Sequence, residues 1–115
     1  MNTITLKKIS FEDLLTLQKG VMQFVEKKAK LLPMTINDYA FFDNLLSADI
    51  ASNLFFRFRV KIENQSNSVT NLKLKINEAI ILMQCCNDFK SVKEEENFAS
   101  RKYLNGLHSQ LINLL

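Results

Sequence analysis

The side chains of this chain that could do chemistry fall into a few groups. Five bases, Arg57, Arg59, Lys61, Lys73 and Lys75, lie in residues 54–76 against a single acid, Glu63. If 55–63 and 71–76 are strands, all five point from one face, because side chains alternate across a strand. A basic two-stranded ribbon fits a major groove, so these five are the candidate nucleic-acid contacts. If 55–63 is a helix instead, Arg57, Arg59 and Lys61 spread around it. Their aliphatic stems would then cover apolar neighbours while their charges stay in water.

The other groups point away from catalysis. Cys85 and Cys86 are adjacent, which is poor geometry for bridging each other. They end an apolar run and are expected in the core, as free thiols. A metal half-site would need further ligands, and His108 is the only histidine. His108 has no Ser, Cys or acid at triad spacing and is expected at the surface. Glu94, Glu95 and Glu96 are consecutive, so on a helix they fan out over about 200° and cannot converge on one ion. They suit the positive end of a helix instead. Only Gly20 and Gly106 are present, so no Gly-rich phosphate loop exists. No carboxylate pair suggests acid–base work. The expectation is a protein that is not an enzyme and holds no cofactor and no metal.

These groups must be positioned by helices. Gly numbers 2 and Pro 1 in 115 residues, too few for the turns of an all-β fold. Apolar residues are 47% and charged residues 23%, ordinary for a globular chain, and the net charge of +3 is too mild to imply nucleic acid by itself. The N-terminus lacks the apolar stretch of a signal peptide, and no run is long enough to span a membrane. The length suits one domain, 1–115.

Residues 3–8 alternate and read as a short strand. Ser10 then caps a helix over 10–32, with Asp13 three residues on. Its stripe is Leu14, Leu17, Val21, Val25 and Leu32, widened by Leu15, Met22 and Phe24. Gly20 inside it is a candidate for close approach by a neighbouring helix. Pro33 stops the helix. Thr35 is the expected cap of the next, 35–63. That helix carries two apolar rows: Phe42, Leu46, Ile50, Leu54 and Phe58 in one, Phe41, Leu45, Ala48, Phe55 and Ile62 in the other. Two apolar rows imply burial on two sides, so this helix is expected at the middle of the bundle. Its phenylalanines are read as core, not as a base-stacking platform.

Residues 56–63 also alternate strictly, and with the polar stretch 64–68 and the alternating 71–76 they make a competing hairpin. Asn77 is the expected cap of a helix over 77–90, with Ala79, Ile80, Leu82, Met83 and Cys86 inward. The last helix, 92–114, is expected to bury Phe98, Leu104, Leu107, Leu111 and Leu114 or Leu115. Residues 5–18 and 73–84 echo each other: a Leu-Lys strand, a capping residue, an acid, an apolar helix. Such strands could pair, each feeding a helix.

The fold class is therefore mainly α: a four-helix bundle-like single domain with one or two short extended segments. The alternative is α+β with a β-hairpin at 55–76. The functional expectation is a small cytoplasmic protein-interaction module acting through helix-face contacts with a protein partner or with itself as a homodimer, and no membrane. The alternative is a small basic nucleic-acid-binding protein that uses the 57–75 cluster.

Overall fold

The computed structural model describes residues 2–64 and 69–114. Their order is strand β1 (Thr3–Ile9), helix α1 (Phe11–Leu31), a 3-10 turn (Pro33–Thr35), helix α2 (Ala40–Asn64), strand β2 (Thr70–Lys75), helix α3 (Ile76–Asp88) and helix α4 (Glu94–Ile112). The protein is mainly helical, with four helices and a small two-stranded antiparallel sheet. Residues 55–63 are helical, so the hairpin at 55–76 does not form. Of the expected polar turn at 64–68, Asn64 is the last residue of α2, and 65–68 lie outside the described residues, as does Leu115.

The two strands pair with each other, and each runs directly into a helix. Ile4 faces Leu74, and Leu6 faces Leu72. These four side chains are buried on one face of the ribbon, while Thr3, Lys73 and Lys75 are exposed on the other. A ribbon of two strands is marginal alone and here is held by packing on the helices. The strand reaches Ile9 because of a bulge between Leu6 and Ile9. Lys8 takes φ 56, a left-handed conformation that L side chains adopt at a cost of roughly 1–2 kcal/mol. Its N–H donates to Asn71 Oδ1 at 2.9 Å. The extra residue breaks the alternation, so Lys7 and Lys8 both stay exposed and Ile9 turns inward.

The caps hold in part. Ser10 Oγ accepts from the Asp13 N–H at 3.2 Å and opens α1 as the sequence implies. After Pro33 the chain makes a 3-10 turn, and Thr35 donates its hydroxyl to Leu31 O at 2.9 Å. That hydroxyl does not serve a cap, so α2 starts at Ala40 rather than at 35, with Asp38 Oδ1 accepting from the Ala40 N–H at 3.1 Å. Residue 76 is already helical, and Lys75 rather than Asn77 is the N-cap of α3. The Lys75 N–H donates to Glu78 Oε1 at 2.8 Å.

The core is one cluster with contributions from both strands and all four helices. Helices α1 and α3 each lie against the other three helices, whereas α2 lies mainly against α1 and α3. The expectation that α2 occupies the middle is overturned: only Asn44, Ala51, Leu54 and Phe58 of α2 are buried. Smaller corrections concern which residues of α3 and α4 face in. Ile81 and Cys85 are buried where Ile80 was expected, and Ile80 is exposed. On α4, Ala99, Tyr103 and Leu107 are buried while Phe98 is exposed. The Gly20 approach is not helix on helix: a Cβ there would meet Phe89 Cδ1 at 3.4 Å.

Polar contacts tie the layers together. Tyr103 of α4 donates to Asp13 Oδ2 at the start of α1, at 2.7 Å. Gln110 closes the outer edge of β1, its amide donating to Thr5 O at 3.0 Å and accepting from Thr5 N at 3.3 Å. The buried Asn44 accepts from Lys28 Nζ at 3.2 Å and donates to Thr35 Oγ1 at 3.4 Å, so its amide is not left unpaired.

Candidate interaction surface

The five bases do not share a face. On α2, Arg57 and Arg59 are two residues apart and so point about 200° apart around the helix. Arg57 is committed to the fold. Its guanidinium donates to Glu78 Oε1 at 3.0 Å and to Lys73 O at 2.6 Å, tying α2 to β2 and α3. Arg59 pairs with Glu63 one turn on, at 3.0 Å, with both side chains exposed. Lys61 is half-buried beside them in sequence, and Lys73 and Lys75 stand on the exposed face of β2. The helix at 55–63 thus separates what a hairpin would have gathered.

The cysteines lie in the core of α3 as free thiols. Burial pushes the Cys86 thiol up to about 12, against a smaller opposing hydrogen bond with Ser100. Burial also pushes the Cys85 thiol up, helped by Cys86 and Asp88. At neutral pH both are protonated, and the protonated thiol is neither a nucleophile nor a ready metal ligand. Tyr103 is likewise raised, by burial first and then by its bond to Asp13. His108 is exposed, at the rim of an open depression that also includes Lys28, Gln84 and Asp88. Among the described residues no group of three or more His, Cys, Asp or Glu is placed to hold a metal ion. Glu94, Glu95 and Glu96 do sit in the first turn of α4. Glu96 bonds Ser91 Oγ and Lys19 Nζ, and these two hydrogen bonds hold its carboxyl below the usual range.

Much of what α2 presents to solvent is apolar. Its inner face, Ala51, Leu54 and Phe58, is fully covered. On the opposite side Phe42 is 66% exposed, Leu46 60%, Phe56 58% and Val60 55%, with Leu45 at 47%. Tyr39, Met34 and Ile36 extend the exposed apolar surface beyond the N-terminal end of the helix. Single exposed apolar residues are normal on proteins, but here several share one side of one helix, as two groups on either side of the exposed Asp49 and Asn53. The row Phe42, Leu46, Ile50, Leu54, Phe58 therefore splits. It enters the core only at its C-terminal end, because a row with four-residue spacing winds slowly around the helix.

Sequence reasoning found these residues and gave them the wrong address. Periodicity marks a helix face as buried only when the other face is polar, and α2 is apolar on both. Among the described residues no helix is long and apolar enough to cross a membrane. Comparison with protein families, with curated proteins and with solved structures finds no match to this chain.

Proposed function

We propose that the protein is a small interaction module whose contact surface is the outer face of α2. The observation that carries this reading is the stripe Phe42, Leu46, Phe56 and Val60, each more than half exposed on a helix whose other side already fills the core. Moving such side chains out of water is the main favourable contribution to most protein association. Aromatic residues in particular supply large contact area at small entropic cost. The nucleic-acid reading has less support, since Arg57 is held by Glu78 and Lys73, and Arg59 points away from it.

The test is a fourfold variant, Phe42→Gln, Leu46→Gln, Phe56→Gln and Val60→Thr. It removes the stripe and leaves Ala51, Leu54 and Phe58 in place. At dilute concentration the variant is expected to keep its helical circular dichroism and a cooperative unfolding transition, losing about 1 kcal/mol at most per substituted side chain, while binding of an apolar dye falls. A variant that unfolds would assign these residues to the core and sink the proposal.

A further inference from the structure

The outer face of α2 has a symmetry that names its partner. The residues facing outward recur at alternating steps of four and three: Phe42, Leu46, Asp49, Asn53, Phe56, Val60. This is the a/d seam of a two-helix coiled coil, and all six are exposed. The seam is also balanced about Ala51. Phe42 and Val60 lie nine residues to either side of it, Leu46 and Phe56 five, and Asp49 and Asn53 two. We infer that the partner is a second copy of this chain, its own α2 lying antiparallel across a two-fold axis at the level of Ala51. This inference rests on reading the α2 face as the contact surface.

In that arrangement every seam residue meets its counterpart. Phe42 packs on Val60 of the second copy and Leu46 on Phe56 of the second copy, at both ends by symmetry. The contact is isologous, as a two-fold requires. At the centre each Asp49 carboxylate meets an Asn53 amide, which can donate to it. The pair occurs twice, in the two central seam layers, and buried polar groups in a seam fix register and orientation at a cost in stability.

Charge selects the antiparallel sense. The first half of α2 and the turn before it carry Asp38, Asp43 and Asp49 and no base, while its last third carries Arg57, Arg59 and Lys61 against Glu63. Antiparallel pairing lays the acidic half on the basic half, with Asp43 on the same flank as Lys61 of the second copy. Parallel pairing would set Asp49 against Asp49 in the seam. Like charges so juxtaposed are unfavourable.

The size is adequate. The seam from Phe42 to Val60 is about 27 Å long at 1.5 Å per residue. With about 200 Å² for a whole Phe side chain and less for Leu and Val, the five exposed apolar residues of α2 leave roughly 500 Å² per copy to cover. With the polar flanks that approaches the ~800 Å² per partner of a standard interface.

The experiment is sedimentation of the full chain from about 1 to about 100 µM, the range expected for an interface of this size. The parent is expected to pass from monomer to dimer. Leu46→Lys alone and Phe56→Glu alone are each expected to weaken the dimer at least tenfold. An equal mixture of the two should recover it, because the introduced ammonium of one chain faces the introduced carboxylate of the other, while Phe56 of the first chain still packs on Leu46 of the second. As a second measurement, a mixture of Asp49→Cys and Asn53→Cys should oxidise to the mixed disulfide. A parent that stays monomeric at the highest concentration overturns the inference, even where the fourfold variant keeps its fold and the α2 face stands as a contact surface. No recovery on mixing, or like-to-like disulfides only, overturns the antiparallel two-fold.

Discussion

Phe56 and Phe58 are two residues apart, and replacing each by Ala tests the rotation of α2. In a strand they would share a face and lose similar amounts of burial. In the helix they lie about 200° apart. Phe58 is fully buried beside Leu54 and Ala51, whereas Phe56 is 58% exposed. Phe58→Ala removes a whole buried ring and leaves a cavity, at a cost of about 3–5 kcal/mol. A chain of this size has roughly 5–15 kcal/mol in total, and at about 4 °C per kcal/mol its melting temperature falls by about 15 °C. Phe56 has less than half its ring out of water, so Phe56→Ala costs about 1 kcal/mol at most, scaling the ~1.5–3 kcal/mol of full burial. The assay is urea unfolding followed by circular dichroism at the lowest workable protein concentration. Dilution matters because association would add to the apparent stability of the parent and not of the Phe56 variant. The slope m should stay constant across the three proteins, so that the midpoint reports stability alone. Equal losses from the two substitutions, or a larger loss at Phe56, would refute the placement of α2 and the surface built on it.

Three further outcomes follow from single contacts. Tyr103→Phe keeps the packed ring and removes the bond to Asp13, so a loss of about 1.5–3 kcal/mol is expected in denaturant unfolding; no loss would mean the bond adds nothing. Cys85, Cys86 and Tyr103 all have folded pKa values raised above their unfolded ones, so their contribution is intact below the unfolded values and is lost as pH rises. From about pH 9 upward each thiol should remove up to ~1.4 kcal/mol of stability per pH unit. In Cys85→Ala with Cys86→Ala that alkaline slope should flatten, which unfolding series at several pH values would read. At the bulge, Lys8→Gly should be neutral or stabilising by up to about 1 kcal/mol, and Lys8→Val destabilising, since only Gly takes φ 56 without strain; equal behaviour of the two would refute the left-handed backbone there.

Much of the fold was legible because local chemistry decides it. Ser10 and Asp13 start α1 and Pro33 ends it, through groups within a few residues of each other. The echo between 5–18 and 73–84 anticipated that two strands would pair and each feed a helix. What was not legible depends on distant partners. Thr35 looked like a cap until its hydroxyl turned to Leu31 O. Ile80 and Ile81 are indistinguishable by type, and only the position of α1 and α4 decides which one is buried. Asn44 is polar, yet buried, because Lys28 and Thr35 converge on it. The basic cluster was a conditional reading, and its condition, an extended 55–63, is not met.

The error about α2 and the proposal about α2 come from one fact. A bundle helix with two apolar faces was expected between two neighbours. Here α2 has α1 and α3 on its inner side and solvent on the other. The core draws on Leu54, Phe58 and Ala51, with Ile50, Phe55 and Ile62 at its edge. It leaves Phe42, Leu46, Phe56 and Val60 unused. Each is more than half exposed, and so much apolar surface on one helix carries a risk of aggregation that Gln or Thr would avoid. Their spacing, balanced about Ala51 with a polar pair at the centre, is what a helix needs to recognise its own reverse. The sequence pattern promised a second packed face; within the monomer that face is exposed, and the proposed second copy is what would cover it.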